Sequence, residues 1–258
     1  PASVIMDLLG VPRADLERVK LWSDDIALFI GTAQVAGNKY LRAESGAKAM
    51  SDYFRSLVEA RTAEPTDDMI SHLVLARDDR DALTTDEIIG TCILLLFAGH
   101  ETTTNLIGNG FLYSMRHRDQ WERLVGDPSL AESAVEEYLR YDGPSGALAR
   151  VAAADLEIGG KTIREGQRLF AFMNSANRDP EAFADPERFD IGREPNAHLT
   201  FGHGIHFCLG APLARLEAQI ATLRLAQRLP DIRLSGADPE WHDSLILRGV
   251  KRLPVQLY

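Results

Sequence analysis

FGHGIHFCLG, Phe201 to Gly210, decides the reading of this chain. Cys208 is one of only two cysteines, and Phe201, Phe207 and Leu209 suggest an apolar cage around it. The following residues, Ala211 to Leu229, read as an amphipathic helix with Pro212 in its first turn. A cysteine just ahead of a helix N-terminus meets the positive end of the helix dipole, which favours thiolate. Gly204 and Gly210 allow the backbone to fold tightly around the sulfur. Such a thiolate can act as a nucleophile or as a single axial metal ligand. His203 and His206 admit zinc, but no second ligand pair at zinc-site spacing accompanies them.

The pattern F-x-x-G-x-x-x-C-x-G, filled by Phe201, Gly204, Cys208 and Gly210, resembles the haem-binding loop of the cytochrome P450 family. The resemblance implies haem b as cofactor and Cys208 as the proximal iron ligand. It also implies a mainly α fold with a smaller β region, and His206 as a partner for a haem propionate.

A second stretch supports it. Thr84 and Glu87 have the spacing of a capping box. The helix they begin is expected to reach Arg116, about 45 Å at the usual rise per residue. Its first half, IIGTCILLLFAG, is apolar on every face and should cross a core. AGHETT, Ala98 to Thr103, then predicts an interruption, because Gly99 weakens the helix and Thr102 can bond back to a carbonyl one turn earlier. By itself this reads as a bend beside a solvated Glu101. With the cysteine loop, AGHETT resembles the family's acid–alcohol pair. The resemblance implies that Glu101 relays protons, that Thr102 holds a hydrogen bond to dioxygen, and that Ala98 and Gly99 lie against the haem.

A third motif, AVEEYLRY, Ala134 to Tyr141, places Glu137 and Arg140 on one helix face. The family buries such a pair and adds a later arginine, for which PERF, Pro186 to Phe189, offers Arg188. Glu137, Arg140 and Arg188 are thus expected to form a structural triad. DGPSGALAR follows, and the resemblance makes Ser145, Gly146, Ala147 and Leu148 substrate-lining and Arg150 a propionate partner.

The remaining elements are ordinary. Helices are expected over Ser3–Leu9, Asp15–Ile30, Ala47–Arg61 and Asp67–Leu75, with a solvated turn at Arg77–Ala82. Gly159-Gly160 signals a hairpin within 154–163, Leu169 onward a buried strand, and 245–247 and 254–257 β edges.

The 258 residues carry 28 basic and 38 acidic side chains, a formal charge of −10, which argues against a nucleic-acid surface. Two cysteines suit a reducing compartment, and neither a signal peptide nor a membrane-length apolar run is seen, so a cytoplasmic protein is expected. No linker or repeat divides the chain, so 1–258 reads as a single domain. The first residue is proline, and the family's N-terminal portion has no counterpart; the chain is expected to be a C-terminal part that is inactive alone. For the whole enzyme the resemblance implies a monooxygenase acting on a small organic substrate with O2. Its electrons would come from a separate ferredoxin-like or flavin donor. A peroxygenase and a non-catalytic haem-binding or sensing protein are the alternatives.

Overall fold

The computed structural model describes residues 1–30, 37–76 and 83–258. The expected turn at Arg77–Ala82 lies outside them. Helices dominate, with small two-stranded antiparallel sheets. The chain divides into two compact units, Pro1–Thr104 and Asn105–Tyr258.

The first unit holds helices α1 (Ala2–Leu9), α2 (Leu16–Ile30), α3 (Lys39–Ala63) and α4 (Met69–Leu75), and the first part of α5 (Thr85–Arg116). Its core joins Met6, Leu9, Val19, Met50, Phe54, Ile70, Cys92 and Leu96. The α5 capping box forms: the Thr84 amide donates to Glu87 Oε2 at 2.7 Å, and the Glu87 amide to Thr84 Oγ1 at 3.3 Å. Two expectations about α5 fail. Its apolar half is not buried all round, because Leu94 is 63% exposed and Ala98 is exposed while Cys92 and Leu96 are enclosed. Nor is the helix interrupted at 98–103; it stays α-helical from Thr85 to Arg116. Gly99 instead admits a close helix approach, since a Cβ there would lie 3.3 Å from Ile5 Cγ1 on α1.

The second unit contains the rest of α5, then α6 (Arg118–Gly126), α7 (Ala131–Asp142), α8 (Met173–Ala176) and α9 (Ala211–Arg228). Leu106, Trp121, Leu124, Val135, Leu139, Phe189, Ile191 and Ala218 form its core. Strands β1 (Ala147–Val151), β2 (Leu156–Ile158), β3 (Lys161–Ile163) and β4 (Arg168–Phe172) pair as β1–β4 and β2–β3. The β2–β3 turn uses Gly159 and Gly160 at φ 57° and 72°, the left-handed pair that a tight hairpin requires. Strand β4 is half-exposed rather than buried. β5 (Arg233–Leu234), β6 (Glu240–Trp241), β7 (Val250–Arg252) and β8 (Val255–Gln256) pair as β5–β8 and β6–β7. The expected edge at 245–247 is a single bridge between Ser145 and Leu247. Among the described residues no helix is long and apolar enough to cross a membrane.

Candidate functional site

The loop 201–210 is drawn into shape from both ends. The Cys208 amide donates to the Phe201 carbonyl at 2.9 Å, and the Ala211 amide to the Cys208 carbonyl at 3.3 Å. Gly204 has φ 76°, a conformation that L side chains rarely adopt. A Cβ on Gly210 would sit 4.0 Å from the Cys208 sulfur, so glycine keeps that flank thin. Cys208 thus stands half-buried immediately before α9. The expected cage is not closed, however: Ile205 is 97%, Leu209 84% and Phe207 52% exposed. Apolar side chains turned outward around one sulfur leave a surface that a large apolar group would cover. A haem fits these residues. The second cysteine offers no such chemistry, because burial pushes the Cys92 thiol up to about 12.

His206 and Arg150 are both exposed, and Arg150 Nη1 donates to the neighbouring Ala149 carbonyl at 2.8 Å. Ser145, Gly146 and Leu148 are partly open, whereas Ala147 is fully buried. The Gly146 amide bonds to the Ile246 carbonyl at 2.8 Å.

In the first unit, Glu101 and His100 are buried on α5. Each offers a ligand atom within 4.8 Å of the other's and of Asp24 on α2. Burial and then the hydrogen bond and charge of Asp24 push the Glu101 carboxyl up to about 7, against an opposing pull from Lys20. Burial also lowers His100. Glu101 can therefore hold and release a proton near neutrality. Asp24 escaped the sequence reading: an acidic residue on an amphipathic helix carries no signal of its partner. The Thr102 hydroxyl donates to the Ala98 carbonyl at 2.7 Å, as expected from its position. Its proton is therefore committed, and its lone pairs remain free to accept.

The buried ion cluster needs correction in one member. Glu137 and Arg140 are both fully buried and pair twice, at 2.8 Å through Nε and 2.8 Å through Nη2. Arg188 does not join them; its side chain is 64% exposed and turns to Asp190 at 3.3 Å. Its carbonyl serves instead, accepting from Arg140 Nη2 at 3.1 Å. The second cation is Arg193, with Nε 3.3 Å from Glu137 Oε2. The Asp190 amide at 2.9 Å and Asn196 Nδ2 at 3.2 Å complete the carboxylate's shell. The motif pointed to the right loop and the wrong arginine, because main-chain carbonyls rather than the Arg188 guanidinium meet α7.

Comparison with known proteins gives the same answer. The family model for cytochrome P450 matches residues 26–232. The chain is 44% identical over 256 residues to the biotin biosynthesis cytochrome P450 of Bacillus subtilis (strain 168), covering 98% of this chain and 63% of that protein. It is 44% identical over 260 residues to the mycinamicin IV hydroxylase/epoxidase of Micromonospora griseorubida, covering 99% and 64% respectively. The solved structure of the bacillaene polyketide synthase cytochrome P450 PksS from Bacillus subtilis 168 matches with a TM-score of 0.93 at 39% identity. That match covers 100% of this chain and 66% of the other. The chain spans 63% and 64% of the length of these two curated relatives. A cysteine loop ahead of a helix, a buried Glu137–Arg140 pair and a family match over most of the sequence lead to one conclusion: the chain belongs to the cytochrome P450 family, whose members carry haem b.

Proposed function

We propose that this chain supplies the catalytic machinery of a haem-thiolate monooxygenase, which inserts one oxygen atom of O2 into a small organic substrate. Residues 1–258 act in it as a single functional domain, and electrons come from a separate ferredoxin-like or flavin protein. The carrying observation is Cys208, tied to the Phe201 carbonyl ahead of α9 and ringed by exposed apolar side chains. Haem b, when bound through a thiolate, supplies the activation of dioxygen.

The chain's own residues do the rest. Cys208 provides the sulfur ligand, while Phe201, Gly204 and Gly210 fix its loop. Arg150 and His206, exposed and polar, neutralise propionates. Ser145, Gly146 and Leu148 border the substrate, and Ala147 supports them from behind. Glu101, with its carboxyl near neutrality, passes protons inward. Thr102 accepts a hydrogen bond through the lone pairs that its bond to Ala98 leaves free. Glu137, Arg140 and Arg193 hold the scaffold and touch no reactant.

The test is isotopic. The haem-loaded protein, given a reduced electron donor and 18O2, should place one labelled atom in product. Product formed from peroxide alone, with none from O2 and electrons, would favour a peroxygenase. Haem binding with no turnover under either regime would leave a binding protein.

A further inference from the structure

Arg215 lies in the second turn of α9, the helix that starts three residues after Cys208. Its Nε and Nη2 donate to the two carboxylate oxygens of Glu136 on α7, at 2.7 and 2.9 Å. The same carboxylate meets His198 Nε2 at 3.1 Å. His198 Nδ1 accepts from the Thr200 amide at 3.2 Å, which assigns the ring proton to Nε2 and makes His198 a donor to Glu136. Burial opposes ionisation of Glu136, but the bonds from His198 and Arg215 overcome it and hold the carboxyl down to about 2. The guanidinium is thus clamped by an anion that stays charged. It lies over the Phe201 ring, 4.5 Å from the centroid, and His198 packs against the same ring at 5.8 Å. Phe201 in turn contacts Phe207 at 6.3 Å and accepts the Cys208 amide. The contacts run without a gap from α7 to the residue that bears the sulfur.

We propose that Arg215 is a positioning residue for the thiolate: clamped by Glu136 and His198 and seated on Phe201, it holds the Cys208 loop in its ligating conformation and keeps a fixed positive charge within electrostatic range of the sulfur. The hydrogen bonds to Glu136 raise the Arg215 pKa against the opposing effect of burial, so the guanidinium stays charged. Partly exposed ion pairs on their own contribute little to stability. A bidentate fork that also stacks on a ring is a different object, because it fixes direction as well as charge. Hydrogen bonds and charges behind a metal ligand set that ligand's orientation and the metal's potential. A cation near the thiolate favours the reduced, more negative state of the iron. The potential half of the proposal rests on the haem-thiolate reading above; the loop half does not.

Arg215→Gln, Arg215→Lys and Glu136→Gln separate the two halves. Hydrogen exchange of the Cys208 amide reads loop order with or without haem. In Arg215→Gln it should quicken about tenfold or more, while amides of α3 stay unchanged. In haem-loaded protein, the midpoint potential should fall so that the reduced-to-oxidised ratio drops about tenfold, equivalent to about 59 mV for a one-electron couple. Arg215→Lys keeps the charge and loses the fork, so exchange should quicken with less than half of that potential shift. Glu136→Gln should quicken exchange as well, because the guanidinium is released. Unchanged Cys208 exchange in Arg215→Gln, or an unchanged midpoint despite thiolate-ligated haem, would overturn the proposal. If Arg215→Gln does not accumulate as folded protein, Arg215→Lys decides: unchanged exchange there is equally fatal. A wild-type protein without thiolate-ligated haem would sink the functional reading instead, and the exchange measurement would still judge the loop.

Discussion

Arg193 Nε lies 3.3 Å from Glu137 Oε2, which gives the fully buried Glu137 carboxylate a second cationic partner beside Arg140. Glu137 faces Arg140 on its own helix and Arg193 from the loop after Asp190, and it also accepts the Asp190 amide. Glu137→Ala would leave two guanidinium groups facing an empty, largely dry space. Removing one partner of a buried pair typically costs about 3–5 kcal/mol, a large share of a domain's stability. The expected outcome is low soluble yield and loss of haem. Normal folding and haem content in Glu137→Ala would place the charge on the surface.

The arginine pair gives a sharper comparison. Arg193 spreads its donors over the carbonyls of Ala184, Asp185 and Arg188 as well as Glu137, a planar fan that lysine cannot reproduce. Arg193→Lys should lower the midpoint of thermal unfolding by several degrees. Arg188→Lys should change it little, because an exposed pair with Asp190 is worth less than about 1 kcal/mol. Equal effects of the two substitutions would contradict the geometry.

How much of this was legible follows from the type of interaction. The Thr84–Glu87 box and the Thr102 back-bond are local, so residues three and four apart disclosed them. Cys208 was legible because its loop has a fixed pattern. Arg193 was not: which of two arginines five residues apart reaches Glu137 depends on the path of the loop, and neighbouring side chains do not encode it. Leu94 and Ala98 were expected inside because an all-apolar helix suggests burial on every face. Their exposure is set by what packs against α5, which composition alone does not specify.

Cys208→Ser should remove the thiolate signature. Reduced, carbon monoxide-treated wild type should show the red-shifted band of sulfur-ligated haem, and the variant should not. Helix content should persist, since Cys208 contributes only main-chain bonds to the start of α9. Cys92→Ser should leave the spectrum intact, because that thiol is enclosed and held protonated. A band retained in Cys208→Ser would transfer the ligand role elsewhere.

Glu101 makes stability depend on pH with a definite sign. Its folded-state value, about 7, stands above the ordinary 4.5, so the native protein keeps a proton that the unfolded chain has released. The protonated carboxyl is accommodated fully below about pH 4.5, and stability is lost as pH rises toward 7. A shift of this size corresponds to a loss on the order of 3 kcal/mol. Glu101→Gln cannot ionise, so it should gain on wild type as pH rises from 5 to 8. His100, whose value is lowered by burial, acts in the opposite sense and cancels in the comparison. Asp24→Asn should recover part of the gain by removing the charge that faces Glu101. Parallel stability curves for wild type and Glu101→Gln across this range would show that the carboxyl titrates normally.

Thr102→Ala should uncouple electron consumption from product formation while leaving haem and substrate binding intact. The side chain is half-exposed on α5, and its hydroxyl proton is engaged with the Ala98 carbonyl. What the alanine variant loses is therefore an oxygen acceptor at a fixed height on the helix, not a core contact. Because the helix remains continuous through this turn in wild type, removing the back-bond should not unfold it. Thr102→Ser, which keeps the hydroxyl, should restore most of the coupling. Thr102→Val, which keeps the shape without the oxygen, should not. The measurement is product formed per reduced donor consumed, with peroxide assayed alongside. Coupling that survives in both alanine and valine variants would reduce Thr102 to a helix-packing residue.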